Sequence, residues 1–452
     1  MLPMPVFLLD LLYIPAAILY LPILLYQMIA LGKNRRGWAE RFGAIRHRAG
    51  TRPRIWIHAV SLGEVNATHT LVSEIRRRLP DYEIAVSATT DTGYAAACRL
   101  YPDCLVFRYP LDFSWVVRRA LRRIRPSAII LMELEVWPNL VSLATRRRIA
   151  LCIANGRITE ERSMRRFRKP IIRLLARSMF SRITWTAAQD ETYAARFIEL
   201  GVPADCVHVV GSLKYDTAVV ADRVDGADAL ADAMGIAPHA PLVVAGSTGP
   251  GEEEMVLEAW GALRADHPDT QLAIIPRKPE RFAEVAKLIE SRGYVCRRRS
   301  RCPDGSPPAD SEPNGPRSPS GASAEQVVFL GDTMGELRKF YSLAGAVFVG
   351  RSLVSLGGSD VMEVAGLAKP MCFGPHMDNF SDAAEKLLAA DAAIQIPSPG
   401  ELSMALGRLL SNPLEASDIG RRAQQVVLAN TGATRKTIDL LCGALGASAT
   451  TH

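Results

Sequence analysis

The sequence predicts an α/β protein of two doubly wound domains behind an apolar N-terminal helix, and three observations predict it. Short, continuously apolar runs alternate with stretches of helical periodicity, the pattern of a parallel sheet covered on both faces. The alternation comes in two separate series. The length of 452 residues, with 48% hydrophobic and 22% charged, suits two large domains at roughly 150 residues or more each and excludes both a small module and wholesale disorder.

The chain opens on a run without charge from Leu11 to Leu31, about 30 Å as a helix and thus the thickness of a bilayer's hydrocarbon. Lys33, Arg35, Arg36, Arg41, Arg46 and Arg48 follow it, a one-sided cationic flank that places the C-terminal side, and hence the whole body, in the cytoplasm. A cleaved signal peptide fits less well, because its positive region precedes the apolar run. Pro15 and Pro22 introduce kinks, so the anchor of residues 1–35 reads either as a span or as a monotopic segment in the interface.

The first series runs Arg54–Ala59 (strand), Glu64–Leu79 (helix), Glu83–Ser87 (strand), Asp91–Leu100 (helix), Ala128–Met132 (strand), Pro138–Arg148 (helix) and Ile149–Ala154 (strand). The second begins with strand Pro241–Ala245, a Gly246–Gly249 turn and helix Glu252–Asp266. Strand Gln271–Ile275, helix Glu280–Ser291, strand Val327–Leu330, helix Met334–Leu343, strand Ala346–Val349 and helix Val361–Leu367 complete it. These predict one domain over 36–215 and another over 236–452, with a linker near Gly211–Gly235. The stretch 297–325 is dense in Pro, Ser, Gly and Asp and reads as a disordered insertion. Ligands of such folds sit at the carboxyl ends of the strands.

Net charge is +7, suited to an anionic partner but too mild to demand nucleic acid. The eight cysteines stand singly, without Cys-x-x-Cys spacing, and read as buried thiols in a reducing compartment. No metal or other cofactor is expected: Glu133 and Glu135 lack His or Cys neighbours at ligand spacing.

Chemistry is expected where strands end. Glu64, in His58-Ala-Val-Ser61-Leu-Gly63-Glu64, opens a helix after the first strand. There it serves either as a general base, if burial offsets the helix dipole that favours its anion, or only as a helix cap. Glu133 and Glu135 directly follow a buried strand, where acids are costly unless paired or facing a ligand; a salt bridge within the domain is the plain alternative. Arginines 162, 165, 166, 168, 173, 177 and 182 punctuate the apolar residues of 157–182, a basic amphipathic stretch suited to anionic lipid head groups. A solvated face is its rival, and nucleic acid a weaker one without an aromatic platform. In the second series, Gly246-Ser-Thr and Asp332-Thr-Met334-Gly335-Glu336 each lie between a strand and a helix, where backbone N–H groups hold phosphate. Arg277 and Lys278 add cations, and Asp360 and Glu363 offer acceptors for ribose hydroxyls. No Walker loop and no Gly-x-Gly-x-x-Gly after a strand is present.

Taken in order, these motifs resemble the 3-deoxy-D-manno-octulosonic acid (Kdo) transferases, glycosyltransferases of lipid A. The likeness is carried by His58…Gly63-Glu64, Glu133-x-Glu135-x-Trp137-Pro138-Asn139, Gly211-Ser-Leu-Lys214-Tyr-Asp216, Pro276-Arg277-x-Pro279-Glu280-Arg281-Phe282, Gly331-Asp-Thr-Met-Gly-Glu-Leu337 and Gly374-Pro-His376…Asn379-Phe380. The resemblance implies a GT-B architecture, an acceptor-binding first domain and a second domain holding CMP-Kdo. It implies inverting transfer of Kdo to a lipid A precursor such as lipid IVA. By the same resemblance Glu64 is the proton acceptor, and Glu133 and Lys214 stabilise the transition state. CMP contacts fall on Pro276, Arg277, Met334, Gly335, Glu336, Asp360, Val361, Met362 and Glu363. The chain departs from the family at Gly249, where His is common, and at Ser359-Asp360, where His-Asn is common. Those departures leave room for another nucleotide sugar or another membrane lipid acceptor on the same fold. A silent lipid-binding scaffold is disfavoured by the joint presence of Glu64, Glu133 and Lys214.

Overall fold

The computed structural model describes residues 6–30, 32, 35–47, 50–302 and 326–446. They form two units, one of Met1–Thr217 with Asn430–His452 and one of Ala218–Ala429.

The first unit holds seven parallel strands: β1 Arg54–Ala59, β2 Glu83–Ala88, β3 Leu105–Arg108, β4 Pro126–Met132, β5 Ala150–Gly156, β6 Trp185–Ala188 and β7 Val207–Val209. Their order is β3-β2-β1-β4-β5-β6-β7. In β1, Ile57 lies opposite Val86 of β2 and Ile130 of β4. The direction of winding therefore reverses beside β1, and every residue of β1 is buried, as two-sided helix cover requires. One face packs Trp56, Ile129 and Leu151, and the other Ile57, Ile130 and Cys152.

The second unit repeats the plan with β8 Leu242–Thr248, β9 Gln271–Pro276, β10 Val295–Arg298, β11 Val327–Leu330, β12 Ala346–Val349, β13 Met371–Phe373 and β14 Ile394–Gln395. Its order is β10-β11-β9-β8-β12-β13-β14. β8 takes the place of β1, and its seven residues are all buried. The doubly wound α/β expectation holds in both units.

Several local expectations change. Residues 297–302 are not an insertion. Arg297 and Arg298 belong to β10, which pairs in parallel with β11 through Arg297↔Phe329 and Arg298↔Leu330. Arg298 and Arg299 are held by Asp332 and Glu336, so local composition was a poor guide there. Residues 303–325 of that expected insertion, and Lys33 and Arg48 of the cationic flank, lie outside the described residues. The helix expected from Met334 begins at Leu337, because Gly335 takes φ +87°, a left-handed conformation that keeps 334–336 in a loop. The expected linker contains the unit boundary and two short helices, Leu213–Asp216 and Ala227–Met234.

The C-terminal helix Ala433–Leu445 lies with the first unit, whereas its position in the chain suggested the second. Its Ile438 and Leu441 join the core of Leu71 and Ile75 from helix Leu62–Arg78, each worth about 1.5–3 kcal/mol when fully buried. Asp216 accepts the backbone N–H groups of Gly432 and Thr434 at its start. All eight cysteines are free; Cys152, Cys302, Cys372 and Cys442 are buried and Cys98 is exposed.

Candidate functional site

In the first unit a cavity of about 690 Å³ opens at the carboxyl end of β4. Glu64, Glu133 and Glu135 form one side. Arg157 and Arg166 contribute cations, and Phe167, Ile172, Leu175, Ala176 and Met179 an apolar wall; Tyr13 from the N-terminal helix completes the lining. The space thus has an acidic end, two cations and an oily flank, the chemistry of an amphiphile that carries both hydroxyl and anionic groups.

Glu64 gets its place from local sequence. Ser61 caps helix Leu62–Arg78 by accepting the Glu64 N–H, and Glu64 reaches back to accept the Val60 N–H at 2.8 Å and the Ser61 hydroxyl at 3.0 Å. This Ser-x-x-Glu arrangement is a variant of the capping box in which Glu64 accepts the N–H one residue before the cap. Of the two roles that the sequence poses as alternatives, the cap is thus present, and its carboxylate also faces the cavity. Burial pushes the Glu64 carboxyl up to about 7; the Val60 and Ser61 hydrogen bonds pull it down, and Glu133 and Glu135 push it up. Burial wins over the capping bonds, so Glu64 titrates where a base in neutral solution is most effective.

Glu133 follows β4 at φ +56°, a conformation that costs a non-glycine residue of order 1–3 kcal/mol and collects at functional sites. Its N–H donates to the carbonyl of Ala154 at 3.0 Å, which holds the turn against β5. Glu135 accepts from Trp137 Nε1 at 3.2 Å, and burial raises its carboxyl. No salt bridge to either carboxylate occurs among the described residues, so the plain alternative for this pair does not apply there. His58, by contrast, is structural: fully buried, stacked on Tyr109 at 3.8 Å and pushed down to about 3 by burial.

Lys214 sits on the short helix Leu213–Asp216, outside the cavity lining. Asn155 Oδ1 accepts the Leu213 N–H at 3.1 Å and the Ser212 hydroxyl at 3.3 Å, while Asp216 clasps the C-terminal helix. The Gly-Ser-Leu-Lys-Tyr-Asp run is therefore fixed on both sides of its lysine, and its helix packs on helix Leu62–Arg78.

In the second unit the expected residues gather at the carboxyl ends of β8, β9, β11 and β12. Pro276 ends β9 and the Arg277 N–H donates to Thr248 at 3.1 Å. Arg281, from the same motif, grips the buried Glu253 with both guanidinium nitrogens at 2.6 and 3.1 Å, and Glu253 also accepts the Thr248 hydroxyl. The backbone of Arg277 is thus tied to Thr248, whose hydroxyl bonds the same Glu253 that Arg281 holds. Arg277, Asp360 and Glu363 interact electrostatically: burial and Asp360 push the Glu363 carboxyl up to about 7, and Arg277 and Arg338 oppose this. The Asp360 carboxylate accepts the Met362 N–H at 2.9 Å; Val361 and Met362 are buried and shape the turn.

Glu336 is differently employed. Its carboxylate accepts from Arg299, Thr333 and Lys339, which hold it down at about 2 against the effect of burial. Its carboxylate is thus committed to neighbouring side chains, while Met334 and Gly335 of the same loop are exposed.

Two residues that sequence reading passed over organise this end. Glu252, wholly buried, accepts the N–H groups of Gly249, Arg351, Ser352 and Leu353, so it ties the β8 and β12 loops together. Glu253 does the same for the β9 loop. Three acids in a row at a helix start was the available signal. A Cβ at Gly249 would lie 2.8 Å from Leu356 Cδ1, the far end of a flexible, exposed side chain, so packing does not account for the departure there. Ser359 donates to the carbonyl of Ser247 at 3.2 Å. No group of three or more metal-ligating side chains converges among the described residues.

Residues 36–217 match the family model described as 3-deoxy-D-manno-octulosonic-acid transferase (kdotransferase). The chain is 32% identical over 412 residues to the 3-deoxy-D-manno-octulosonic acid transferase of Haemophilus influenzae, covering 90% of this chain and 91% of that one. It is 33% identical over 443 residues to the enzyme of that name from Bordetella pertussis, covering 94% and 97%. Among solved structures, the UDP-GlcNAc 2-epimerase of Neisseria meningitidis aligns with a TM-score of 0.53 at 11% identity, across 86% of this chain and all of that one, a likeness of fold alone.

Proposed function

The chain belongs to the 3-deoxy-D-manno-octulosonic acid transferase family, and from that premise we propose that this glycosyltransferase of GT-B architecture moves Kdo from CMP-Kdo to a lipid A precursor in lipopolysaccharide synthesis. The observation that carries the acceptor assignment is the first unit's cavity. It joins a carboxyl held near neutrality to two arginines and an apolar wall, which matches a phosphorylated sugar lipid presenting a hydroxyl.

In this mechanism Glu64 takes the proton of the acceptor hydroxyl as that oxygen attacks the anomeric carbon of Kdo. The bond from that carbon to the CMP phosphate breaks in the same displacement, so one base suffices and the anomeric configuration inverts. Arg277 and Lys214 offset charge on the departing phosphate, and Glu133 supports the reacting centre from its strained turn. The 334–336 backbone meets the phosphate or base of CMP, while Asp360 and Glu363 meet the ribose. The apolar helix and the basic stretch 157–182 hold the body to the cytoplasmic face of the inner membrane.

The test is mass spectrometry of lipid after incubation of the detergent-solubilised protein with tetraacylated lipid A precursor and CMP-Kdo, beside Glu64→Ala. Kdo addition by the native chain alone supports both reaction and base, and the adduct mass counts the sugars. A folded native chain that yields no adduct would refute the donor–acceptor pair.

A further inference from the structure

We infer that helix Val6–Ile29 is monotopic: both of its ends lie on the body's side of the membrane, and it enters one leaflet without crossing to the other. The inference rests on the membrane association proposed above and adds a topology to it.

The helix has 24 residues and is therefore about 36 Å long, enough to cross roughly 30 Å of hydrocarbon. If it crossed, with the body following its C-terminal end, its first turns would rest among the far head groups. The structure bonds those turns to the body instead. The Asp10 carboxylate accepts the Ser114 N–H at 2.8 Å, the Ser114 hydroxyl at 2.5 Å and Asn139 Nδ2 at 3.0 Å. One turn on, the Tyr13 hydroxyl donates to Asp112 at 3.0 Å and its ring meets Phe113 edge-on at 5.7 Å. Asp112, itself buried, accepts the N–H groups of Asn139 and Leu140, both at 2.9 Å. Crossing would strip the Asp10 carboxylate of all three of these partners and part the Tyr13 hydroxyl from Asp112, at the cost that attends any buried polar group left unmatched.

The other end is held on the same side. Arg35 folds back so that its guanidinium donates to the carbonyls of Met28 and Ile29, and a cation on the last carbonyls keeps that end at head-group level. By residues 38–41 the chain is on the body: Glu40 accepts the Arg108 N–H and Arg41 donates to Thr89, each at 2.9 Å. A stretch fixed at Tyr13 and again at Glu40 leaves the body and returns to it from one side. Exposed rings mark the level. Phe42 stacks on Trp115 at 6.0 Å with Trp38 alongside, and Trp115 adjoins the Ser114 that holds Asp10. Rings of this kind settle at the bilayer–water boundary, here beside the root of the helix. Between the fixed points Ile14, Ile18, Leu19 and Ile23 are exposed, and their partner is the interior of that single leaflet. Since Tyr13 also lines the Glu64 cavity, the leaflet that holds the helix is the one from which a lipid reaches the carboxylates.

The experiment inserts one cysteine after Met1 of the full chain and treats sealed membrane vesicles of both orientations with a membrane-impermeant maleimide. Peptide mass spectrometry reads the labelled positions, and exposed Cys98 reports the side of the body. The expected result is labelling of the added cysteine and Cys98 from the same side, to extents within about twofold. Labelling of the added cysteine in the orientation that protects Cys98 would establish a crossing helix and overturn the inference, with membrane association intact. Protein that fails to float with the vesicles would overturn both the inference and the membrane reading beneath it.

Discussion

The two units wind the same kind of sheet and set opposite electrostatics at its carboxyl edge. In the first, the acids beyond the strands are cornered by burial and by one another: Glu64 rises to about 7 and Glu135 rises with it. In the second, the acids of the β11 loop are bound by cations, and Asp332 and Glu336 fall, the latter to about 2. The frame is common, so the difference lies in what each strand end carries. One edge holds carboxyls raised toward neutrality, the other carboxylates kept charged by the cations that tie down its loop. Two acids of the second unit depart from this: burial raises Glu252, and burial with Asp360 raises Glu363 to about 7.

The comparison breaks most visibly at Glu64. Glu64→Gln keeps the shape and removes the base; transfer should fall by about 10²–10⁴-fold in a lipid-linked product assay, with the far-UV spectrum unchanged. A loss under fivefold would remove the base from the account. Next in size is Arg281→Ala, which strands the buried Glu253 carboxylate. It should cost about 3–5 kcal/mol in chemical denaturation of the second unit, because this pair is shielded from solvent. Arg277→Ala should weaken CMP binding about 10–100-fold, the loss of a charged hydrogen bond of roughly 1.5–3 kcal/mol, and leave acceptor affinity unaltered in calorimetry. The smallest effect is expected of Asp360→Asn. Removing that charge eases ionisation of Glu363, so the apparent pKa seen in the pH dependence of CMP binding should move down, and affinity at neutral pH should rise a few-fold.

Much of this was legible in the sequence, for identifiable reasons. Strand Arg54–Ala59 and helix Asp91–Leu100 came out to the residue because an apolar run ends at a capping Ser or Thr, as at Ser61 and Thr90. Short β3, β6, β13 and β14 left no such mark. The return of the C-terminal helix depends on Asp216, 216 residues from Gly432, a distance that periodicity does not bridge. Glu64, Glu133 and Lys214 were found as motifs, but the near-neutral carboxyl of Glu64 depends on burial, which no motif displays. Glu336 was found too, and its local sequence could not foretell Arg299 as its partner, 37 positions away. Tyr13 was hidden inside the apolar run, where one hydroxyl does not alter the pattern.

The proposed role of Glu64 as base is tested most directly by its titration. Its folded value lies above the ordinary carboxylate range, so the base form is scarce below about pH 7 and abundant above it. The measurement is kcat/KM for sugar transfer from pH 5 to 9 in native chain and Glu64→Gln. The native profile should rise with unit slope and level off near 7, and the residual activity of Glu64→Gln should lack that limb. A native profile already level at pH 5, or a limb that survives in Glu64→Gln, would contradict the claim.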